Sequence, residues 1–302
     1  MIPEFPQFKK LELSDKADVE KFTSLYPPYS DFNFISMWSW DIKGEMRLSV
    51  LNNNLVVRFT DYLSGEPFFS FLGNNKVNET AAKLLDFSKK EKVKLQLRFL
   101  PESAVEKIDI TKFEIKEDRD HFDYRYIIEK LVNYDGREFL TKRNLTNRFL
   151  REYPDGIAKI CDLKDPKTLE QILNLSRLWE QNKVKNSQDA RVENESVALN
   201  RILVVSKIFK LITVGVYSEN QLLCFCVNEI LSGGNALSHF AKSDGSSSGS
   251  YAFLMKENAK VLKERGALYL NYEQDLGIPN LRHAKESFRP IGFLKKFICA
   301  YK

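Results

Sequence analysis

The sequence predicts an α/β (α+β) chain of two successive halves, each a mixed β-sheet flanked by helices. Three observations carry this reading. The 302 residues suffice for one large domain or for two of about 150 residues each. Apolar positions switch repeatedly between two-residue alternation and helical spacing, so strands and helices interleave along the chain. The order of elements in the first half also recurs in the second, without sequence identity between them.

In the first half, Ser14 caps a short helix over 14–25, which Tyr26-Pro27-Pro28-Tyr29 ends. An aromatic-dense stretch follows at 32–40. Runs 46–51 and 54–60 read as a hairpin turning at Asn52-Asn53, and PFFSFLG (67–73) as a third strand stopped by Gly73-Asn74-Asn75. Residues 78–91 turn Ala82 and Leu85 inward on an amphipathic helix, 93–100 alternates as a strand, and 101–108 forms a helical turn or two.

The second half repeats the pattern. Helices are expected at 165–181, carrying Leu169, Ile172, Leu173, Leu175 and Trp179, and at 197–207. A hairpin of 211–217 and 221–230 crosses Ser218-Glu219-Asn220. Strand 236–241, a Gly/Ser loop, helix 251–265 and strand 267–270 complete the repeat, and a last strand is expected over 291–301. Residues 124–153 bridge the halves as strand plus helix, giving domains 1–125 and 126–302.

Composition narrows the function. Hydrophobic residues at 43% and charged residues at 29% describe an ordinary globular protein. Aromatics at 12%, with 22 Phe, favour an aromatic-rich core over a stacking surface. Lys and Arg exceed Asp and Glu by 46 to 41, a formal +5. That is too mild for a dedicated nucleic-acid binder and still permits anionic substrates. Cys161, Cys224, Cys226 and Cys299 form no CxxC, and neither they nor His121, His239 and His283 have metal spacing, so no metal is expected. Cys224 and Cys226 share one side of a strand, where packing is their expected role. MIPEFPQFKK has no apolar signal core, and the most apolar stretch, 202–216, is broken by Lys207 and Lys210. A cytoplasmic chain without an integral membrane segment is the expectation.

The chemistry concentrates in 267–295, ALYLNYEQDLGIPNLRHAKESFRPIGFLK. A short apolar strand runs into Asn271, Glu273, Gln274 and Asp275. Gly277 and Pro279 break it, and a helix starts near Pro279-Asn280 and stops at Pro290. Arg282, Lys285 and Arg289 then fall at i, i+3 and i+7 on one helical face. Glu273 and Asp275, at a strand end, are candidate catalytic bases or holders of an ammonium, with Asn271 beside them. Arg282 and Lys285 are candidates to neutralise a phosphate or an oxyanion. The competing expectation is a carboxylate–guanidinium lock that only ties strand to helix. A second candidate site is the loop 242–250. There Gly245 and Gly249 let backbone amides converge on a phosphate beside Lys242 at a helix start, or the loop is an ordinary surface turn. A third is the basic helix following Asp135, with Arg137, Lys142, Arg143, Asn144, Arg148 and Arg151, which is either a solvated face or a phosphate-backbone contact.

Three stretches carry a resemblance: NYEQDLGIPNLRHAKESFRP; Asp123-Tyr124-Arg125-Tyr126 with Gly136-Arg137, Lys142-Arg143-Asn144 and Asn147-Arg148-Phe149; and, more weakly, Tyr29-Ser30-Asp31-Phe32-Asn33-Phe34 with Trp38. Together they resemble a bacterial family related to the phosphatidylglycerol lysyltransferase C-terminal domain. The resemblance implies two GNAT-type acyltransferase folds in tandem. It implies a transferase that moves an acyl or aminoacyl group, from acyl-CoA or aminoacyl-tRNA, to the amine or hydroxyl of a small-molecule, lipid or peptide acceptor. No permanently bound cofactor is implied, and tRNA becomes a candidate partner. Lys142, Arg143 and Asn144 match the family motif directly. The RxxGxG/A phosphate-loop spacing of GNAT enzymes is not present, and only Lys242, Gly245 and Gly249 approach it. A non-catalytic protein using the same cleft for an anionic ligand, peptide or nucleic acid is the alternative.

Overall fold

A computed structural model describes the chain apart from residues 62, 63, 187–190, 207, 244 and 246, and apart from the side chains of 183–193. In chain order the strands and helices are β1 (Lys9–Lys10), α1 (Lys16–Thr23), α2 (Phe34–Trp40), β2 (Arg47–Leu51), β3 (Asn54–Thr60), β4 (Pro67–Leu72), α3 (Val77–Lys90), β5 (Leu97–Pro101), α4 (Glu102–Val105) and β6 (Phe113–Glu117). There follow β7 (Asp123–Ile127), α5 (Ile128–Asn133), α6 (Leu140–Glu152), β8 (Ile157–Ile160), α7 (Pro166–Asn186), α8 (Arg191–Val205), β9 (Ile212–Ser218), β10 (Gln221–Leu231) and β11 (Asn235–Ser243). The chain ends with α9 (Ser250–Glu264), β12 (Tyr269–Asn271), α10 (Pro279–Glu286), β13 (Gly292–Leu294) and β14 (Lys296–Tyr301).

These form two compact units. The first is Met1–Asp123 with Gln274–Pro279 and Phe293–Lys302; the second is Tyr124–Glu273 with Asn280–Gly292. The sequence reading gave 126–302 to one domain, whereas two of its stretches cluster with the first unit. The physical reason is β14. The expected last strand divides at Lys295, and β14 is hydrogen-bonded between β5 and β6, antiparallel to both.

The first sheet has the order β1-β2-β3-β4-β5-β14-β6. Its β2–β3 hairpin turns at Asn52 and Asn53, both left-handed (φ 54° and 58°), the conformation a tight two-residue turn requires and Asn tolerates. β4 and β5 run parallel through one pairing, Phe69 with Leu97, and α3 makes the crossover that parallel strands need. Val77, Ala81, Leu84 and Leu85 of α3 pack on Phe69, Phe71, Leu97, Leu100 and Cys299.

The second sheet, β13-β7-β12-β11-β10-β9-β8, repeats this plan. β9, β10 and β11 are antiparallel, α9 crosses over, and β12 returns parallel to β11. Phe253 and Leu254 of α9 and Phe149 of α6 pack against Val214, Val216, Leu223, Cys224 and Cys226, which gives the two cysteines their expected place in the core. Each unit thus holds the hairpin–strand–helix–parallel strand order of a GNAT-like fold.

Candidate functional site

In the second unit, β11 and β12 share three paired positions, Asn235 with Tyr269, Ala236 with Leu270 and Leu237 with Asn271. β11 then continues to Ser243 while the chain after Asn271 turns, so the parallel pair opens into a notch. At that point β11 carries a bulge. Val227 faces Phe240 and Asn228 faces Ser238, which leaves His239 as the extra residue. A bulge of this kind re-aims a side chain out of the regular alternation. The imidazole lies between two carboxylates, with Nε2 3.6 Å from Glu229 and Nδ1 3.7 Å from Glu273. Burial disfavours its charge, but the two carboxylates, Glu229 and Glu273, outweigh burial and hold its pKa up to about 8.

Glu273 is held by local chemistry. The Asn271 carboxamide oxygen accepts its backbone N–H at 2.8 Å, an Asx turn that fits the left-handed φ of 52° at Glu273. Its carbonyl accepts the Tyr124 N–H at 3.1 Å, while Tyr272 N–H donates to the Tyr124 carbonyl at 2.9 Å. Of the three ionisable side chains, Glu273 keeps 18% exposure against 9% for Glu229 and 1% for His239, so it is the one most open to a ligand. The hydroxyls of Tyr251 and Tyr272 are hydrogen-bonded to each other nearby in the same unit.

The matching position in the first unit is closed. Two residues beyond the Phe69–Leu97 pairing, Phe99 has the same left-handed backbone as Glu273, with φ 59°. An aromatic ring stands where the second unit has a carboxylate. Phe59, Phe68 and Phe99 pack with ring centroids 5.0 Å (Phe68–Phe99), 5.6 Å (Phe59–Phe68) and 5.7 Å (Phe59–Phe99) apart. Behind them Arg98 pairs with Asp61 and lies 3.5 Å from Asp118, which contacts His121 Nδ1 at 2.7 Å. The signature residues Ser30, Asp31 and Asp123 meet in this unit too. Ser30 donates its N–H and its hydroxyl to Asp123 (2.7 and 2.6 Å), and the buried Lys296 ammonium bonds Asp123 at 2.7 Å and pairs with Asp31. Burial opposes that charge, but Asp123 and Asp31 outweigh it and hold Lys296 above its ordinary pKa. Two of the three signature stretches therefore supply a buried ion cluster.

Asn271 and Glu273 belong to the notch. Asp275, fully buried, belongs to the first unit: Arg119 Nη1 donates to it at 3.1 Å, and its other oxygen accepts Gly277 N–H at 2.8 Å. Arg119 is thus one guanidinium partner of Asp275. Lys285 is buried in the second unit, donates to the Tyr272 carbonyl and sits 4.9 Å from that ring's centroid, so it braces the strand end. Arg282 is half-buried on α10. Arg289 does not share their helical face, because α10 ends at Glu286 and Arg289 is left-handed at φ 58°.

Lys242 departs from the phosphate expectation. It is buried, pairs with Glu195 and lies 3.1 Å from the Trp179 ring centroid. Gly249 is a packing glycine at the N-cap of α9, where a Cβ would lie 2.1 Å from the Leu145 carbonyl oxygen. Gly245 is exposed with open space around it, and Asp244 and Ser246 of this loop lie outside the described residues. Arg143 donates to the carbonyls of Tyr134 and Gly136, which anchors the turn before α6, and Asn144 is exposed. Lys142 contacts Ser287 and Phe288. Among the described residues, no cluster of three His, Cys, Asp or Glu side chains could hold a metal ion. The functional groups that sequence reasoning missed are His239 and Glu229. The signal available was the Asn228-Glu229 pair, which interrupts the apolar run of the strand around 221–230.

A conserved protein of unknown function from Bacteroides thetaiotaomicron is 27% identical with a TM-score of 0.86, the match covering 100% of both chains. The C-terminal domain of a proposed lysylphosphatidylglycerol synthetase from Agrobacterium fabrum has a TM-score of 0.65 at 10% identity, over 94% of this chain and 91% of that one. The L-PGS structure from Bacillus licheniformis has a TM-score of 0.62 at 12% identity, over 99% and 93%. At those identities the last two show a shared fold. No curated protein matches the chain. The phosphatidylglycerol lysyltransferase C-terminal family matches residues 23–300, and the chain belongs to that family. Membership supports a transferase of the acyl or aminoacyl class. No helix among the described residues is long and apolar enough to cross a membrane.

Proposed function

We propose that the second unit is an acyl or aminoacyl transferase whose chemistry lies in the β11–β12 notch. Glu273 would take the proton from an acceptor amine or hydroxyl as it attacks the donor carbonyl directly, without a covalent enzyme intermediate. His239, charged at neutral pH between Glu229 and Glu273, would fix the Glu273 carboxylate and limit its motion. The single observation that carries this reading is the contrast between the units. Matched left-handed positions bear a half-buried carboxylate in one and a packed Phe in the other. Core stability alone does not call for a buried Glu–His–Glu set, since burying charge is costly.

The donor is acyl-CoA or an aminoacyl-tRNA, both of which present phosphate. The start of α9 supports a phosphate contact, because it has no side-chain cap and the buried Ser247 hydroxyl beside it lacks a hydrogen-bond partner. A cytoplasmic setting suits four buried cysteine thiols. A second reading, a non-catalytic binder of anionic ligands, draws on the pairing of Lys242 with Glu195, which withdraws the loop's cation. Single-turnover transfer assays with labelled acetyl-CoA and aminoacyl-tRNA, using small amines and glycerolipids as acceptors, separate the two. Glu273→Gln is expected to keep the fold and lower transfer by about a hundredfold or more. Wild-type rates in that variant would end the catalytic assignment.

A further inference from the structure

We infer that Lys142 is a nucleophilic amine and the position at which this chain is itself N-acylated by thioesters or activated esters of small carboxylic acids. Lys142 lies in the first turn of α6, with its nitrogen 2.6 Å from the Ser287 hydroxyl oxygen and 3.7 Å above the ring of Phe288, which is buried. The Ser287 hydroxyl donates its own hydrogen to the Ala284 carbonyl at 2.6 Å, so toward Lys142 it acts as acceptor.

Lys142 is half-buried, and two of the fully buried lysines are handled differently. Lys296 has Asp31 and Asp123, and Lys242 has Glu195. Lys142 has no carboxylate within 4.0 Å among the described residues, not even Glu138 four positions earlier. Arg289, beyond the end of α10, adds a like charge. Burial first, and then Arg289, lower its pKa from 10.5 to about 8. A neutral Lys142 can keep one N–H on the Ser287 oxygen while its lone pair points elsewhere, so the site accommodates the uncharged amine.

The reaction balances without a further reagent. The nitrogen lone pair attacks the acyl carbonyl, a C–N amide bond forms, and the C–S or C–O bond breaks. The departing thiolate or alkoxide takes up the proton that nitrogen loses. The amide keeps one N–H for Ser287 and no longer opposes Arg289.

The test uses the full folded chain and a limiting amount of S-acetyl-N-acetylcysteamine or N-hydroxysuccinimidyl acetate at pH 7.5, read by peptide mass spectrometry. Lys142 is expected to be acetylated at least about tenfold faster than the exposed Lys83, Lys116 and Lys263, since a lowered pKa raises the free-amine fraction. The preference should vanish in denaturant. Arg289→Gln should slow Lys142 while leaving the other three unchanged. Labelling of Lys142 at or below the rate of the exposed lysines in the native chain would overturn the inference, as would a preference that survives denaturation.

Discussion

The buried His239 makes stability depend on pH in a way that can be worked out in advance. In the folded chain its pKa is raised from 6.5 to about 8 by Glu229 and Glu273, which outweigh its burial. A group whose folded pKa is raised contributes stability that is fully present below the unfolded value and lost as pH passes the folded one. A shift of about 1.5 units corresponds to about 2 kcal/mol, at about 1.36 kcal/mol per unit. Wild type should therefore lose about 2 kcal/mol between pH 6 and pH 9 relative to His239→Gln, whose side chain does not titrate. The comparison with the variant matters because Lys142 has a lowered pKa and contributes the opposite trend above pH 8. The assay is urea denaturation at several pH values, with the m-value checked for constancy. Parallel stability profiles for the two chains would refute the imidazolium between two carboxylates, and so would a wild type that gains stability with pH relative to the variant.

Two further outcomes follow from the ion pairs of the first unit. Lys296→Met removes the cation between Asp31 and Asp123 and should cost about 3–5 kcal/mol in urea denaturation, because two buried carboxylates are left without it; a loss under 1 kcal/mol would show that the cluster is solvated. Asp275→Asn breaks the charged bond from Arg119 and should cost about 1.5–3 kcal/mol, with transfer activity falling only in proportion to folded protein. A fold left intact alongside a large drop in turnover would instead make Asp275 part of the chemistry.

Local chemistry was readable from the sequence, and long-range pairing was not. Asn52-Asn53 announces its turn, Pro279 opens α10, and the polar run after an apolar strand marks Asn271 and Glu273, because each depends on neighbours a few residues away. The bond between Arg119 and Asp275 is not legible locally, because the two residues are 156 apart along the chain. His239 has no local signal beyond its lack of metal spacing, because its setting comes from a bulge against β10 that no periodicity reveals. Lys242 looked available to a phosphate because Glu195 and Trp179 reach it from other elements. The helical face drawn through Arg289 failed for a different reason: α10 stops three residues earlier, at Glu286.

The placement of β14 has a consequence for how the chain is made. Synthesis proceeds from the N-terminus, and a leading domain ordinarily folds while the rest is still being translated. Here β5 and β6 wait for a strand that is made only after Tyr124–Glu273 of the second unit, since Lys296–Tyr301 fills the gap between them. Until then the nascent first sheet has two open edges in its interior, and open edges invite pairing with other chains. Synthesis halted before β14 would thus leave an incomplete first unit, and chaperone dependence during translation should track the delay before Lys296–Tyr301 is made.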